Sequence, residues 1–349
     1  MIEINDIREP KIFNKITFSN FKKVEAKKEL LKSLNTSEIE SACYWSAEFI
    51  CAGHFKDVWE IIIEFIGRYI HVGNPKLPIY INIRFETFKN ILLNGYLKNE
   101  IRMRNNIKIR ELFAEIITIL CLSRKKHCIN PIKIHKQEFQ ISHLTNNLKA
   151  QKISYSEGIF RKEDPKELFI AINELGYHLS KDSNNSLLAC YWIEWLIEFS
   201  CICKCKAGRR SNIPVLDKFQ MDIIWISWEL LLHYSYKKNS MCHSIVEALL
   251  QLFCVRFSPA VRKRRRYILY MAVSLIVENI DLNIKVFQDK DLIEKVKSKI
   301  DVIYKQVKKG ENAPKTDYLF NVPDKQKNLE NSIKKIETMN TLNFIPRSN

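Results

Sequence analysis

Apolar residues recur along most of the chain with the three-to-four-residue spacing of an amphipathic α-helix. After Ser37, for example, Ala42, Trp45 and Phe49 share one helical face, and Gly53 follows as a stop. The same spacing predicts helices near 58–66, 79–93, 105–122, 185–204, 215–236, 241–256, 259–278 and 288–309. Runs that alternate apolar and polar residues, as strands do, do not form a credible set. The pattern therefore predicts an all-α fold.

Two helix starts carry residues that are typical of N-caps. Ser37 stands three residues before Glu40, which is the spacing of a capping box. Asp164 stands before Pro165 and an acidic first turn, which predicts an N-cap Asp with proline at the first helical position.

The helical rhythm is lost between residues 124 and 164, where Lys, Asn, Gln and Ser dominate. We therefore predict an N-terminal helical lobe over 1–148, a linker over 149–163 and a C-terminal helical lobe over 164–310. A polar tail over 311–349 follows, with a short helix near 325–339. The tetrapeptide Ala-Cys-Tyr-Trp at 42–45 recurs at 189–192, each time early in a predicted helix. A two-lobed bundle made from a duplicated helical unit is one interpretation of this repeat.

Composition narrows the class of protein. The chain has 349 residues, 46% of them apolar, and no window approaches the roughly 18 apolar residues of a membrane span. The N-terminus lacks a secretory signal, so the ten cysteines are expected to be reduced thiols in an intracellular compartment. The 48 Ile, 40 Lys and 28 Asn use A- and T-rich codons, so an AT-rich gene inflates the lysine count. The positions of the arginines are therefore better evidence for a functional basic surface than the number of lysines.

The most distinctive run of the sequence is a basic cluster. Ser258 and Pro259 predict a helix start, and five cations follow within two turns: Arg262, Lys263, Arg264, Arg265 and Arg266. Cations there oppose the helix dipole and repel one another, and a bound polyanion would relieve that cost. We predict that this cluster contacts nucleic-acid phosphates. A solvated face, an acidic protein partner and a nuclear-import signal are the alternatives.

Other basic residues would extend the predicted phosphate-binding surface beyond this cluster. Residues 201–266 contain 13 Lys or Arg against 4 Asp or Glu, and residues 101–133 contain 8 against 2. The predicted contacts from these segments are Arg209, Arg210, Arg102, Arg104 and Arg110. Tyr267 and Tyr270, beside the cluster, are candidates for base stacking. Such clustering favours contact with the phosphate backbone over reading of the base sequence.

Two groups of residues invite a metal interpretation that the sequence does not complete. Cys201, Cys203 and Cys205 lack the second ligand pair of a structural zinc site. Glu174, His178 and Asp182 share a helical face at four-residue spacing, without a partner motif elsewhere. Known catalytic and nucleotide-binding fingerprints are also missing from the sequence. We therefore expect no cofactor, no metal and no enzymatic activity.

Four segments resemble a protein family of nucleocytoplasmic large DNA viruses: Glu-Ser-Ala-Cys-Tyr-Trp at 40–45, Gly-Asn-Pro-Lys-Leu-Pro at 73–78, Asp-Pro-Lys-Glu-Leu-Phe at 164–169 and Pro-Lys-Thr-Asp-Tyr-Leu-Phe at 314–320. Its members are basic, helical and without an assigned activity. The resemblance implies a viral protein that acts in infected cells, and it transfers no catalytic residue to this chain.

Together these observations predict a non-enzymatic accessory factor that binds the DNA or RNA backbone during viral replication, transcription or genome packaging. The alternative is a helical scaffold or adaptor that binds other viral proteins in the virion or the replication compartment. Either role is expected in the cytoplasmic viral factory or the nucleus of the host, with packaging in the virion as a further location.

Overall fold

The computed structural model describes residues 9–96, 100–203, 205–287 and 289–308. Within these ranges the protein is all-α, as predicted, with no strand and one isolated bridge between Ile16 and Lys22. The α-helices are α1 (Lys23–Asn35), α2 (Ile39–Cys51), α3 (Phe55–Phe65), α4 (Leu77–Leu93), α5 (Glu100–Asn105), α6 (Ile107–Leu122), α7 (Ile141–Leu144), α8 (Phe169–Leu179), α9 (Ser186–Ile202), α10 (Ile224–Lys238), α11 (Ser240–Cys254), α12 (Val261–Arg264), α13 (Arg266–Val277) and α14 (Lys290–Lys308).

Helix α13 lies at the centre of the C-terminal half. It packs against α8, α9, α10 and α11, and every residue from Ile268 to Val277 is buried. Its apolar residues cover all sides because neighbouring helices surround it, which is the pattern of a core helix. The segment predicted as one helix over 259–278 is interrupted at Arg265, where α12 ends and α13 begins.

The two halves share one hydrophobic core, so the predicted linker over 149–163 does not separate two independent cores. α14, which that division assigns to the C-terminal lobe, packs against α2 and α6 of the N-terminal half. α13 also contacts α3 and the π-helical turn Ile66–Ile70, and α4 contacts α11. The physical reason is the amphipathic face of α14, which buries Ile293, Val296 and Ile300 in the first half of the chain.

Residues 149–163, predicted as a linker, pack against α8. Glu174 accepts hydrogen bonds from the backbone amides of Lys149 and Ala150 at 2.9–3.1 Å. Asn173 bonds the amide of Tyr155 and the carbonyl of Lys152. The segment is irregular because side chains of α8, rather than a regular helix of its own, satisfy its backbone groups.

Both predicted N-caps are wrong in detail. The N-cap of α2 is Glu38, while Ser37 has a φ of 63° and its hydroxyl donates to the carbonyl of Cys121. Asp164 makes no cap, because its carboxylate holds Arg210 and the amide of Gly208 instead.

The two Ala-Cys-Tyr-Trp copies both lie at the start of a helix, in α2 and α9. Their aromatic residues differ in burial: Tyr44 and Trp192 are fully buried, whereas Trp45 and Tyr191 are half-buried. The duplication thus stays a prediction. The polar tail over 311–349, its short helix and the motif at 314–320 lie outside the described residues. Within the described part of the chain, no helix has the length and apolarity needed to cross a membrane.

Candidate nucleic-acid interface

Arg265, in the middle of the predicted basic cluster, is a core residue. It is buried at the break between α12 and α13, and its Nη1 donates to the carbonyls of Leu252, Phe253 and Val255 at 2.6–3.3 Å. Leu252 and Phe253 lie in the last turn of α11 and Val255 follows it, at a helix end whose carbonyls lack the full set of intrahelical amide donors. Its Nη2 forms an ion pair with Glu60 of α3. Arg265 therefore caps α11 and connects it to the first half of the protein.

Arg262 and Arg266 also point inward. Arg262 pairs with Asp222 at 3.1 Å and donates to the carbonyl of Pro259. Arg266 pairs with the buried Glu194 of α9 at 3.0 Å. Burial raises the pKa of both carboxyls, and their guanidinium partners act in the opposite direction. The repulsion that the sequence predicted at this helix start is thus offset by carboxylates of the protein itself.

Lys263 and Arg264 are the two exposed members of the cluster. The Lys263 ammonium pairs with Glu198 at 2.7 Å. The Arg264 side chain has no ion-pair partner among the described residues. Of these five cations, Arg264 is the best placed to contact a phosphate, because it is exposed and has no ion-pair partner among the described residues.

Three of the other five predicted contact residues are buried: Arg104, Arg110 and Arg210. Arg104 donates to the carbonyl of Cys51 and lies over the ring of Phe13. Arg110 pairs with Asp301 of α14 at 3.0 Å.

Arg210 holds the Asp164 carboxylate with two nitrogens and Glu229 with a third, at 3.0 Å. Although burial alone would raise the pKa of Asp164, the hydrogen bonds from Arg210 and from the amides of Arg161 and Gly208 hold it below its usual range. A guanidinium placed in this way stabilises the fold.

Arg102 and Arg209 remain at the surface, where Arg209 pairs with Asp217 at 3.2 Å. The expectation that all ten residues form one basic surface is therefore corrected. In this structure five of them are buried and cannot touch a phosphate: Arg104, Arg110, Arg210, Arg262 and Arg265. The sequence could not reveal this, because carboxylates such as Glu60 and Asp301 lie about 200 residues from their arginines.

The two tyrosines proposed for base stacking are also engaged. Tyr270 is fully buried and donates to Glu194 at 2.7 Å. Tyr267 is half-buried, with the guanidinium of Arg68 over its ring at 5.3 Å. A base could not stack on Tyr270 without opening the core.

One groove still brings several cations together at the surface. Its volume is about 500 Å³, and we call it the α1–α12 groove. Its charged lining residues are Lys23, Lys27, Lys28, Asp57, Glu60, Glu64, Arg264 and Arg265.

Each carboxylate of this groove already has a cation. Asp57 pairs with Lys23 at 2.6 Å, Glu64 with Lys27 at 2.7 Å, and Glu60 with Arg265. Lys28 and Arg264 remain without an ion-pair partner among the described residues. The groove therefore has an excess of positive charge that an anion can use.

The residues considered for metal binding serve other contacts. Glu174 accepts hydrogen bonds from the amides of residues 149–150, and Asp182 accepts a hydrogen bond from the Tyr155 hydroxyl at 2.6 Å. Burial lowers the pKa of His178 to about 4, and its Nδ1 lies 2.7 Å from the Ser183 hydroxyl. Within the described ranges, no group of three His, Cys, Asp or Glu side chains is placed to hold a metal ion.

Comparison of the chain with models of protein families, with curated proteins and with solved structures finds no match. Function is therefore inferred from the geometry of the α1–α12 groove.

Proposed function

We propose that this protein binds the phosphate backbone of nucleic acid without catalysis, through the α1–α12 groove and neighbouring surface lysines. The observation that carries the proposal is the placement of Lys28 and Arg264 in one groove, beside Lys23 and Lys27, with every carboxylate of the groove already paired. A phosphate there replaces water around two cations and displaces no ion pair of the protein.

The overall charge supports the same proposal. Lys and Arg number 56 against 39 Asp and Glu, which leaves a net charge of +17. Several buried arginines pair with carboxylates of the protein, as Arg265 does with Glu60 and Arg110 with Asp301, and each such pair leaves the net charge unchanged. A surface with such an excess attracts polyanions over a distance set by the salt concentration.

The groove variant Lys28→Ala/Arg264→Ala tests the proposal by fluorescence anisotropy with labelled duplex DNA, single-stranded DNA and RNA at low salt. Both side chains are exposed, so the variant is expected to fold as the wild type does. We expect its affinity to fall at least tenfold for whichever nucleic acid the wild type binds.

A matched control removes the same charge elsewhere. Lys290→Ala/Lys305→Ala replaces two exposed lysines of α14, neither of which lines the groove. We expect its affinity to stay within about threefold of the wild type, since it weakens only the long-range attraction. Equal losses in both variants contradict the assignment of the groove.

The second candidate function is a helical scaffold or adaptor that binds an acidic protein. It is favoured by two large apolar side chains at the turn between α10 and α11: Tyr236 is 73% exposed and Met241 43%. In this case an acidic partner remains bound after nuclease treatment and is lost from Tyr236→Ala. The resemblance to a viral family would place either function in an infected cell, as the sequence predicted.

A further inference from the structure

A large open cleft lies where three helices end. It has a volume of about 820 Å³, within the range of about 300–1,000 Å³ that is usual for small-molecule sites. α8 ends there at Leu179, α10 at Lys238 and α13 at Val277, and residues 154–155 form a further wall. We call it the three-helix cleft. It shares no lining residue with the α1–α12 groove.

Lysines outnumber carboxylates in the lining of the cleft, and they offset the partial negative charge of the three helix C-termini that meet there. Three lysines line it: Lys181, Lys237 and Lys238. Lys238 is already engaged, because its ammonium donates to the carbonyls of Leu275 and Glu278 and so caps the end of α13. The one lining carboxylate, Glu278, pairs with Lys126 at 3.3 Å.

Lys181 and Lys237 are the cations that remain for a ligand. Both are exposed, and neither has a carboxylate partner among the described residues. Lys237 lies 5.3 Å from the centre of the Tyr234 ring, which holds its ammonium at the wall of the cleft. Asp182 follows Lys181 in the chain, but its carboxylate accepts the hydroxyl of Tyr155.

The rest of the wall combines apolar and polar groups, as the base and sugar of a nucleoside do. Leu179, Ile276 and Val277, which expose only 3–7% of their surface, form an aliphatic floor, and Tyr155 and Tyr234 add ring atoms to the wall. The Tyr234 hydroxyl donates to the carbonyl of Tyr155 at 3.1 Å, so these two residues are held together. Ser154, Ser180 and Asn184 add groups that can hydrogen-bond to a sugar hydroxyl or a base edge.

We propose that the three-helix cleft binds a nucleoside phosphate. The base and the sugar lie against the tyrosines and the aliphatic wall, and the phosphates meet Lys181 and Lys237. This inference does not depend on the proposed function, because none of the groove residues takes part in it.

Isothermal titration of the full chain with ATP in metal-free buffer tests the proposal, with adenosine and sodium tripolyphosphate as separate titrants. We expect saturable binding of one ATP per chain and at least tenfold weaker binding of either fragment. Lys181→Glu/Lys237→Glu should weaken ATP binding at least tenfold, whereas Lys290→Glu/Lys305→Glu, with the same change of charge, should stay within about threefold. Far-ultraviolet circular dichroism shows that both variants remain folded.

Three results overturn the proposal. They are the lack of saturable ATP binding, tripolyphosphate binding as tightly as ATP, and equal losses in the two charge-reversal variants. Each can occur whether or not the protein binds nucleic acid through the α1–α12 groove, so failure here and failure of the proposed function are distinguishable.

Discussion

Arg264 and Arg265 are neighbours in the chain and have opposite surroundings. The Arg265 guanidinium is enclosed by the end of α11 and by Glu60, while that of Arg264 stands in solvent at the edge of the α1–α12 groove. A run of like charges in a sequence therefore combines two roles. An arginine that meets carbonyls and a carboxylate stabilises the fold, and one without a partner can meet a ligand.

Alanine substitutions at these two positions should separate the roles. Arg265→Ala removes a donor from the carbonyls of Leu252, Phe253 and Val255 and the ion-pair partner of Glu60, so the free energy of unfolding should fall by about 3 kcal/mol. Arg264→Ala should change it by less than about 0.5 kcal/mol, as surface substitutions usually do. Urea unfolding measures both, and similar values for the two variants contradict the burial of Arg265.

Glu48 of α2 gives a prediction of pH dependence. It is fully buried and accepts the amide of Ser19 at 2.9 Å, and burial raises its pKa above the ordinary value of about 4.3. Because the folded state holds this proton more tightly than the unfolded state, the contribution of Glu48 to stability falls as pH rises from about 4.3 towards the raised value.

Glu48→Gln keeps the shape of the side chain and removes the titration. We expect the variant to be more stable than the wild type at pH 7, and we expect this advantage to shrink as pH falls to about 4. Urea unfolding of both proteins at the two pH values provides the comparison. An advantage that is the same at both values contradicts a raised pKa.

At the scale of elements, apolar periodicity predicts the positions of helices well, but it does not predict how the irregular segments between them pack. The predicted helix near 185–204 corresponds to α9 (Ser186–Ile202), because its spacing depends only on residues within one helix. Residues 149–163 lack such a period, yet they are held by Glu174 and Asn173. Contacts between an irregular segment and a distant side chain leave no local pattern to recognise.

Amide hydrogen exchange should show that residues 149–155 are ordered. The amides of Lys149, Ala150 and Tyr155 each donate to a side chain of α8, so they should exchange more slowly than unbonded loop amides do. Glu174→Ala should speed exchange at Lys149 and Ala150 and leave Tyr155, which Asn173 holds, less affected. Equally fast exchange at all three amides in the wild type contradicts the packed segment.

On the scale of the whole molecule, α14 and α13 join the two halves into one core. The predicted linker over 149–163 rests on a change in composition, and composition carries no information on a helix that returns from the far end of the chain. Arg110 and Asp301 illustrate the point, because their ion pair connects α6 to α14 across some 190 residues.

Such a shared core predicts one cooperative unfolding transition. Tryptophans stand in both halves, at Trp59 of α3 and Trp225 of α10 for example, so fluorescence reports on both. We expect the urea transitions followed by tryptophan fluorescence and by far-ultraviolet circular dichroism to coincide. Two resolved transitions contradict a single core.

We propose that buried arginines stabilise the fold, while surface cations without an ion-pair partner bind phosphate. The salt dependence of duplex DNA binding tests it most directly, for the wild type and for Lys28→Ala/Arg264→Ala. We expect a linear fall of log affinity with log salt for the wild type, and a slope that is shallower by about 1.8 in the variant, since each lost phosphate contact removes about 0.9. No binding by the wild type at low salt, or an unchanged slope in the variant, contradicts it.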